Sequence, residues 1–137
     1  LWHYADGDLS NWLQDPQLSH PNGVLLDGDR LLVGSWGAGM NDDFSTQVPG
    51  SLLEVSLETM EIAVVASALG NLDGIARIAG TVYVSDWVTG DLLTIAEDGT
   101  VSSVSTYGTG IADISAEGST LFIPMMLDGT LIAERIE

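Results

Sequence analysis

Two residues of this chain combine an oxygen-bearing side chain, a following glycine and a following apolar run. They are Asn22, in Pro21-Asn22-Gly23-Val24-Leu25, and Asp73, in Leu72-Asp73-Gly74-Ile75. Each leads to a second apolar run that ends on a tryptophan: Leu31-Leu32-Val33-Gly34-Ser35-Trp36 and Val82-Tyr83-Val84-Ser85-Asp86-Trp87. A looser third copy, Gly110-Ile111-Ala112-Asp113-Ile114, leads to Leu121-Phe122-Ile123-Pro124-Met125. An amide oxygen and a carboxylate converging on one axis are hard-cation ligands of the Ca²⁺ or Mg²⁺ kind. The glycine after each leaves room for a ligand or for close backbone packing. Taken singly, Asn-Gly and Asp-Gly are also ordinary turn dipeptides. Their recurrence at the head of successive repeats is what points to a site.

The elements that must position these residues are strands. Apolar runs of four to eight residues are separated by turn signals such as Asp6-Gly7, Asp27-Gly28, Ala79-Gly80 and Asp98-Gly99, and no stretch sustains a 3.6-residue period. The chain is therefore expected to be all-β. Asp73 lies 51 residues after Asn22, whereas Ile123 lies 39 after Val84; a polar loop over 38–49, carrying Asn41-Asp42-Asp43, accounts for the longer step. A period of roughly 40 residues holding four strands is the signature of a four-stranded antiparallel β-propeller blade. The organisation expected is one partial propeller domain over 1–137: the end of one blade (1–16), a blade (21–67), a second blade (72–107) and an incomplete last blade (110–137). The strand count comes to thirteen, which does not divide into whole blades. The chain reads as the C-terminal portion of a larger propeller, with an outer strand and the earlier blades coming from elsewhere. A start at Leu1, without Met or a signal sequence, reads as a processed product or a piece of something longer.

In a propeller the first strand of each blade lies nearest the axis, so Asn22, Asp73 and either Thr109 or Asp113 would line the tunnel, depending on the alignment of the third copy. Trp36 and Trp87, at equivalent ends of the second strands, suit blade packing, and their nearness to the tunnel mouth also suits contact with a substrate. His3 and His20 are far apart and have no partner at ligand spacing. No nucleophile-elbow serine occurs, and Gly37-Ala38-Gly39 is too short for a phosphate loop.

Composition narrows the partners. The 137 residues are 45% hydrophobic, enough for a real core despite a formal net charge of -17. Three arginines and no lysine stand against 20 acidic residues, a surface that repels phosphate backbones and makes nucleic acid a poor partner. Cation binding or adaptation to salt are the natural readings of that charge. There is no cysteine, so thiolate chemistry is excluded. No apolar run approaches the roughly 18 residues of a membrane-spanning helix, so no membrane is expected among the partners.

Pro21-Asn22-Gly23, Leu72-Asp73-Gly74 with Val84-Ser85-Asp86-Trp87, and Ala112-Asp113-Ile114 with Pro124 resemble the C-terminal half of the SMP-30/gluconolactonase/LRE-like family. That resemblance implies a six-bladed propeller holding a divalent cation, Ca²⁺ or another divalent metal, in its tunnel. Ligands in the family are a Glu, two Asn and an Asp. Asn22 falls on the second Asn and Asp73 on the Asp, which in the family also serves the attacking water or acts as nucleophile. The Glu and the first Asn belong to blades outside these 137 residues. The activity implied is hydrolysis of a small lactone or ester in the complete propeller, with a small-molecule substrate. The alternative is a non-catalytic propeller that binds a small molecule or a partner chain. The partner expected for the open blades is the missing propeller half or a second copy.

Overall fold

The computed structural model describes residues 1–136. Strands β1 (Trp2–Ala5) and β2 (Asp8–Asn11) form a hairpin across Asp6-Gly7. A 3-10 turn at Pro16–Leu18 follows, started by Asp15, whose carboxylate accepts the Gln17 N–H at 2.8 Å. Next come β3 (Pro21–Asp27), β4 (Arg30–Ser35), β5 (Gly37–Met40), β6 (Thr46–Ser56) and β7 (Ile62–Gly70). The third group is β8 (Leu72–Ile78), β9 (Thr81–Asp86), β10 (Asp91–Ile95) and β11 (Val101–Thr106). The last is β12 (Ser115–Glu117), β13 (Thr120–Met125) and β14 (Thr130–Arg135).

Every pairing is antiparallel, and each group is an up-and-down meander whose strand order follows the chain: β1-β2, then β3-β4-β6-β7, then β8-β9-β10-β11, then β12-β13-β14. Short turns rich in Asp and Gly make such neighbours pair, because the glycine supplies the left-handed backbone that hairpin turns need. One expectation fails. Residues 38–49 are not a loop: β5 pairs with the first part of β6, Gly37 opposite Pro49 and Met40 opposite Thr46, so the second sheet carries an added hairpin. Its turn is Asn41-Asp42-Asp43-Phe44-Ser45, closed by Asn41 N–H to Ser45 O at 2.8 Å.

The sheets stack face to face, and the core is divided among the interfaces between them. Leu18, Val33, Leu53 and Val55 join residues before β3 to the second sheet, with Leu1, Trp12 and Leu13 packed around them. Leu32, Leu52, Leu72, Ile75, Val84 and Ile95 join the second sheet to the third. Ile78, Tyr83, Leu92, Ile111, Leu121 and Ile123 join the third to the fourth. Each fully buried Leu or Ile contributes about 1.5–3 kcal/mol of transfer free energy. The strands that open the sheets, β3, β8 and β12, pack in succession on one another and form the inner row.

Two edges of this stack are uncovered. On β3, Gly23 and Leu25 turn towards β8, while Val24 and Leu26 on the opposite side are 51% and 66% exposed. At the other end, Leu131 on β14 is 64% exposed. The outer strands β7 and β11 present unpaired backbone, and neither carries a charged residue.

Candidate functional site

The inner strands share an irregularity that positions the candidate residues. In β3, Pro21 pairs with Ser35 and Val24 with Val33, so three steps on the inner strand match two on its neighbour. In β8, Leu72 pairs with Asp86 and Ile75 with Val84, the same mismatch. These are β-bulges, in which one extra residue bends the strand and re-aims a side chain. The extra residues are Asn22-Gly23 and Asp73-Gly74. The third copy repeats the device: Ile111 bridges Met125 and Ser115 pairs with Phe122, again one residue more on the inner side. This register decides the alignment that the sequence leaves open. Ala112, rather than Thr109 or Asp113, is equivalent to Asn22 and Asp73, and Asp113 stands where the other copies have glycine.

Glycine is required at two of these bulges by contact. A Cβ on Gly23 would lie 2.0 Å from the Asp73 carbonyl oxygen, and one on Gly74 would lie 2.1 Å from the Ile114 nitrogen. Neighbouring inner strands thus touch backbone to backbone beside the candidate residues. Ser85 stitches the same place: its Oγ accepts the Gly74 N–H at 2.8 Å and donates to the Ala112 carbonyl at 3.0 Å. One sheet earlier Gly34 holds that position, and its neighbour Ser35, the counterpart of Asp86, accepts the Ser51 N–H at 2.8 Å through its Oγ. Their role is one that sequence reading missed. No shared residue type signalled it, since that position is Gly34, Ser85 and Pro124 in the three copies.

Asn22, Asp73 and Asp113 meet at this end of the inner row. The Asp73 carboxyl is half-buried, and its pKa is pushed up from 3.8 to about 6. Burial is the largest cause and the neighbouring Asp113 charge the second; a hydrogen bond from the Asn22 amide pulls the other way. Of the two residues the sequence offered in the third copy, Asp113 lies beside Asp73, whereas Thr109 donates its hydroxyl to the Val88 carbonyl at 2.8 Å. Among the described residues, no group of three or more His, Cys, Asp or Glu is placed to hold a metal ion. Two carboxylates and an amide are the right donors for a hard cation, but they are a minority of the roughly 6–8 oxygens that calcium takes.

Trp36 and Trp87 also come together at this end, with ring centroids 5.9 Å apart and planes inclined by 47°. Phe44, at the turn of the added hairpin, meets Trp87 edge-on at 5.8 Å. Asn71 ties the two sheets here, its Nδ2 donating to the Trp36 carbonyl at 2.8 Å and to Thr46 Oγ1 at 2.9 Å. His20 is a tether, its Nδ1 2.7 Å from the Gly37 carbonyl, and His3 is exposed on the first hairpin. Asp43 accepts hydrogen bonds from Ser45 within its own turn and does not join the cluster.

No family model and no curated protein matches the sequence. Solved structures do match. The chain is similar to a chain of a nidogen/laminin complex, with a TM-score of 0.67 and 14% identity over 85% of this chain and 43% of that one. It is similar to the N-terminal domain of Nup159, with a TM-score of 0.51 and 16% identity over 82% of this chain and 27% of that one. A third match is a chain of the S. cerevisiae Dbp5 complex with Nup159 and Gle1, with a TM-score of 0.53 and 15% identity over 83% and 26% of the two chains. This chain therefore spans less than half the length of these matched chains. At such identities the likeness concerns the fold, and the domains matched are β-propellers; the four sheets described above are blades of an all-β propeller fold.

Proposed function

We propose that the chain is the C-terminal part of a propeller of the SMP-30/gluconolactonase/LRE-like type, and that the complete tunnel hydrolyses a small neutral lactone or ester. The observation that carries this reading is the half-buried Asp73 carboxyl facing Asp113 beside the Asn22 amide at the head of the inner strands. An uncompensated pair of carboxylates is a place where a divalent cation, Ca²⁺ first among them, relieves repulsion. Asn22 and Asp73 would hold it, Asp113 adds charge beside it, and the remaining donors come from water or from blades outside these residues. Such a cation supplies polarisation of a carbonyl.

Asp73 acts as the base. Water adds through its oxygen to the carbonyl carbon while Asp73 takes the proton. The ring C–O bond then breaks, and the departing alkoxide recovers a proton to give a hydroxy acid. Asn22 orients the Asp73 carboxylate, and the Gly74 N–H held by Ser85 fixes the backbone beneath it. The test is lactone hydrolysis by the full polypeptide with calcium. Asp73→Asn keeps size and an oxygen but removes the base, and activity should fall by about 10²-fold or more. Asn22→Ala should act through weaker cation binding and be partly rescued by excess calcium. Full activity in Asp73→Asn would overturn the assignment.

A second reading has its own support. The apolar edges at Val24, Leu26 and Leu131 are open, and two of the structural neighbours are chains of protein complexes. A non-catalytic propeller that docks a partner chain, the remaining blades included, fits those facts. Absence of hydrolysis with any divalent metal would put this reading first.

A further inference from the structure

The tunnel end of the molecule carries a regular apolar feature. Trp36 N–H bonds to the His20 carbonyl at 2.9 Å, Trp87 N–H to the Asn71 carbonyl at 3.0 Å, and Met126 N–H to the Gly110 carbonyl at 2.8 Å. His20, Asn71 and Gly110 stand two residues before Asn22, Asp73 and Ala112, so the three bonds are one bond repeated in three successive blades. Each places a large apolar side chain at the same height beside the bulge that carries the candidate site. Met126 is 58% and its neighbour Leu127 60% exposed.

The added hairpin builds on this ring. Phe44 leans edge-on against Trp87, and its carbonyl accepts Trp36 Nε1–H at 2.9 Å. Phe44 has φ 68, a left-handed backbone uncommon for an aromatic residue and here fixed by the indole and the turn. Its ring is nevertheless 53% exposed. The Trp36 indole N–H is spent on the Phe44 carbonyl and is not free for a sugar hydroxyl. No Lys or Arg is near these residues in sequence, and Asp73 and Asp113 repel an anion.

We propose that Trp36, Met126 and Phe44, backed by Trp87, which is only 8% exposed, form an apolar collar that receives the hydrocarbon arm of a neutral substrate. The preferred substrate class is then an alkyl-substituted lactone or ester, in place of a polyhydroxylated sugar lactone. An alkyl arm loses water-exposed area against these side chains, whereas a sugar lactone would exchange the hydration of its hydroxyls for contact with largely hydrocarbon and aromatic faces. This rests on the proposed hydrolysis for its location, and it is tested separately from it.

Isothermal titration calorimetry of the full polypeptide without calcium, using δ-decalactone, δ-valerolactone and δ-gluconolactone, isolates the arm from the ring. δ-Decalactone should bind about tenfold or more tightly than the other two, since each buried methylene is worth roughly a factor of four. Phe44→Ser and Met126→Ser, both at exposed positions, should each cut that preference by about fourfold or more while leaving the circular dichroism spectrum unchanged. Equal binding of δ-decalactone and δ-gluconolactone overturns the collar, as does an intact preference in both folded variants. Because binding is read without turnover, the two ideas separate. Preferential δ-decalactone binding with no hydrolysis in calcium supports the collar and sinks the hydrolase. Faster turnover of δ-gluconolactone than of δ-decalactone supports the hydrolase and sinks the collar.

Discussion

Strands β3 and β8 pack against each other, and their two ends are held by different physics. At the end where both strands begin, Gly23 presses on the Asp73 backbone and no charge is neutralised: Asp73 faces Asp113 and its carboxyl is pushed up to about 6. At the opposite end, Asp27 of β3 receives both Arg77 of β8, at 2.7 Å, and Arg30 of β4, at 3.0 Å, and Arg30 also meets Glu54 at 2.7 Å. Two of the chain's three arginines are thus committed to one clamp between blades. The 20 acidic residues outnumber the cations so heavily that where the arginines go decides which carboxylates stay uncompensated. They go to the end that needs stapling, and the site end is left bare. A bare, half-buried carboxylate is unfavourable for stability, and it is also what a cation or a proton can bind.

The contrast can be broken most severely at the glycines. Gly74→Ala drives a methyl into the Ile114 backbone, where neither side is a flexible side chain, and should cost about 3 kcal/mol. Urea denaturation should show the same loss at low salt and in about 1 M NaCl, because no charge is involved. Salt-dependent destabilisation would mean that the site end is held electrostatically after all.

Removing the clamp should hurt less and respond to salt. Asp27→Asn takes the shared partner from Arg77 and Arg30, whose side chains are 27% and 41% exposed. Solvent therefore screens part of the interaction. The expected loss is about 2 kcal/mol at low ionic strength, between the values for exposed and buried pairs, and it should shrink as salt rises. An unchanged midpoint at low salt would remove the clamp from the account.

The smallest effect has the opposite sign. A carboxyl whose folded pKa lies near 6 against 3.8 in the open chain holds its proton more tightly when folded. Its folded form is favoured at low pH, and that advantage is lost as pH rises from about 4 through 6. In cation-free protein at pH 7, Asp73→Asn should then stabilise the fold, by about 1 kcal/mol once solvent access to the half-buried group is allowed for. Near pH 4 the variant and the parent should melt together. Calcium should erase the gain at pH 7, and destabilisation by Asp73→Asn under cation-free conditions would contradict the site's electrostatics.

Much of this was legible in the sequence, for identifiable reasons. Turn dipeptides and apolar runs gave the hairpins, because local chemistry selects both. The spacing of Asn22-Gly23 and Asp73-Gly74 gave the repeat and placed the two residues on equivalent strands. The bulge that aims them was hidden, since an extra residue on one strand is visible only against its partner's register. The third copy stayed open between Thr109 and Asp113, because the apolar positions Leu72 and Ile111, not the oxygen-bearing residues, carry the true register. Strand β5 was missed because Gly37-Ala38-Gly39 has poor strand propensity and depends on the extension of β6 for pairing. Met126 escaped notice because it does not look like the tryptophans whose place it takes. The Asp27–Arg77 pair spans fifty residues, beyond the reach of any local pattern.

The uncharged outer strands β7 and β11 bear on how copies of the molecule meet. Sheet edges are commonly guarded one by one, with a lysine, a proline or an inward charge at the exposed rim. Here the opposing force is collective: a net charge of -17 repels copies at a distance, while the rims themselves, Ile62–Gly70 and Val101–Thr106, carry no charge of their own. Colloidal protection of that kind has a threshold. Towards the isoelectric point near 4.1, or under strong screening by divalent ions, the long-range repulsion collapses everywhere at once, and bare edges that were never locally defended become free to pair.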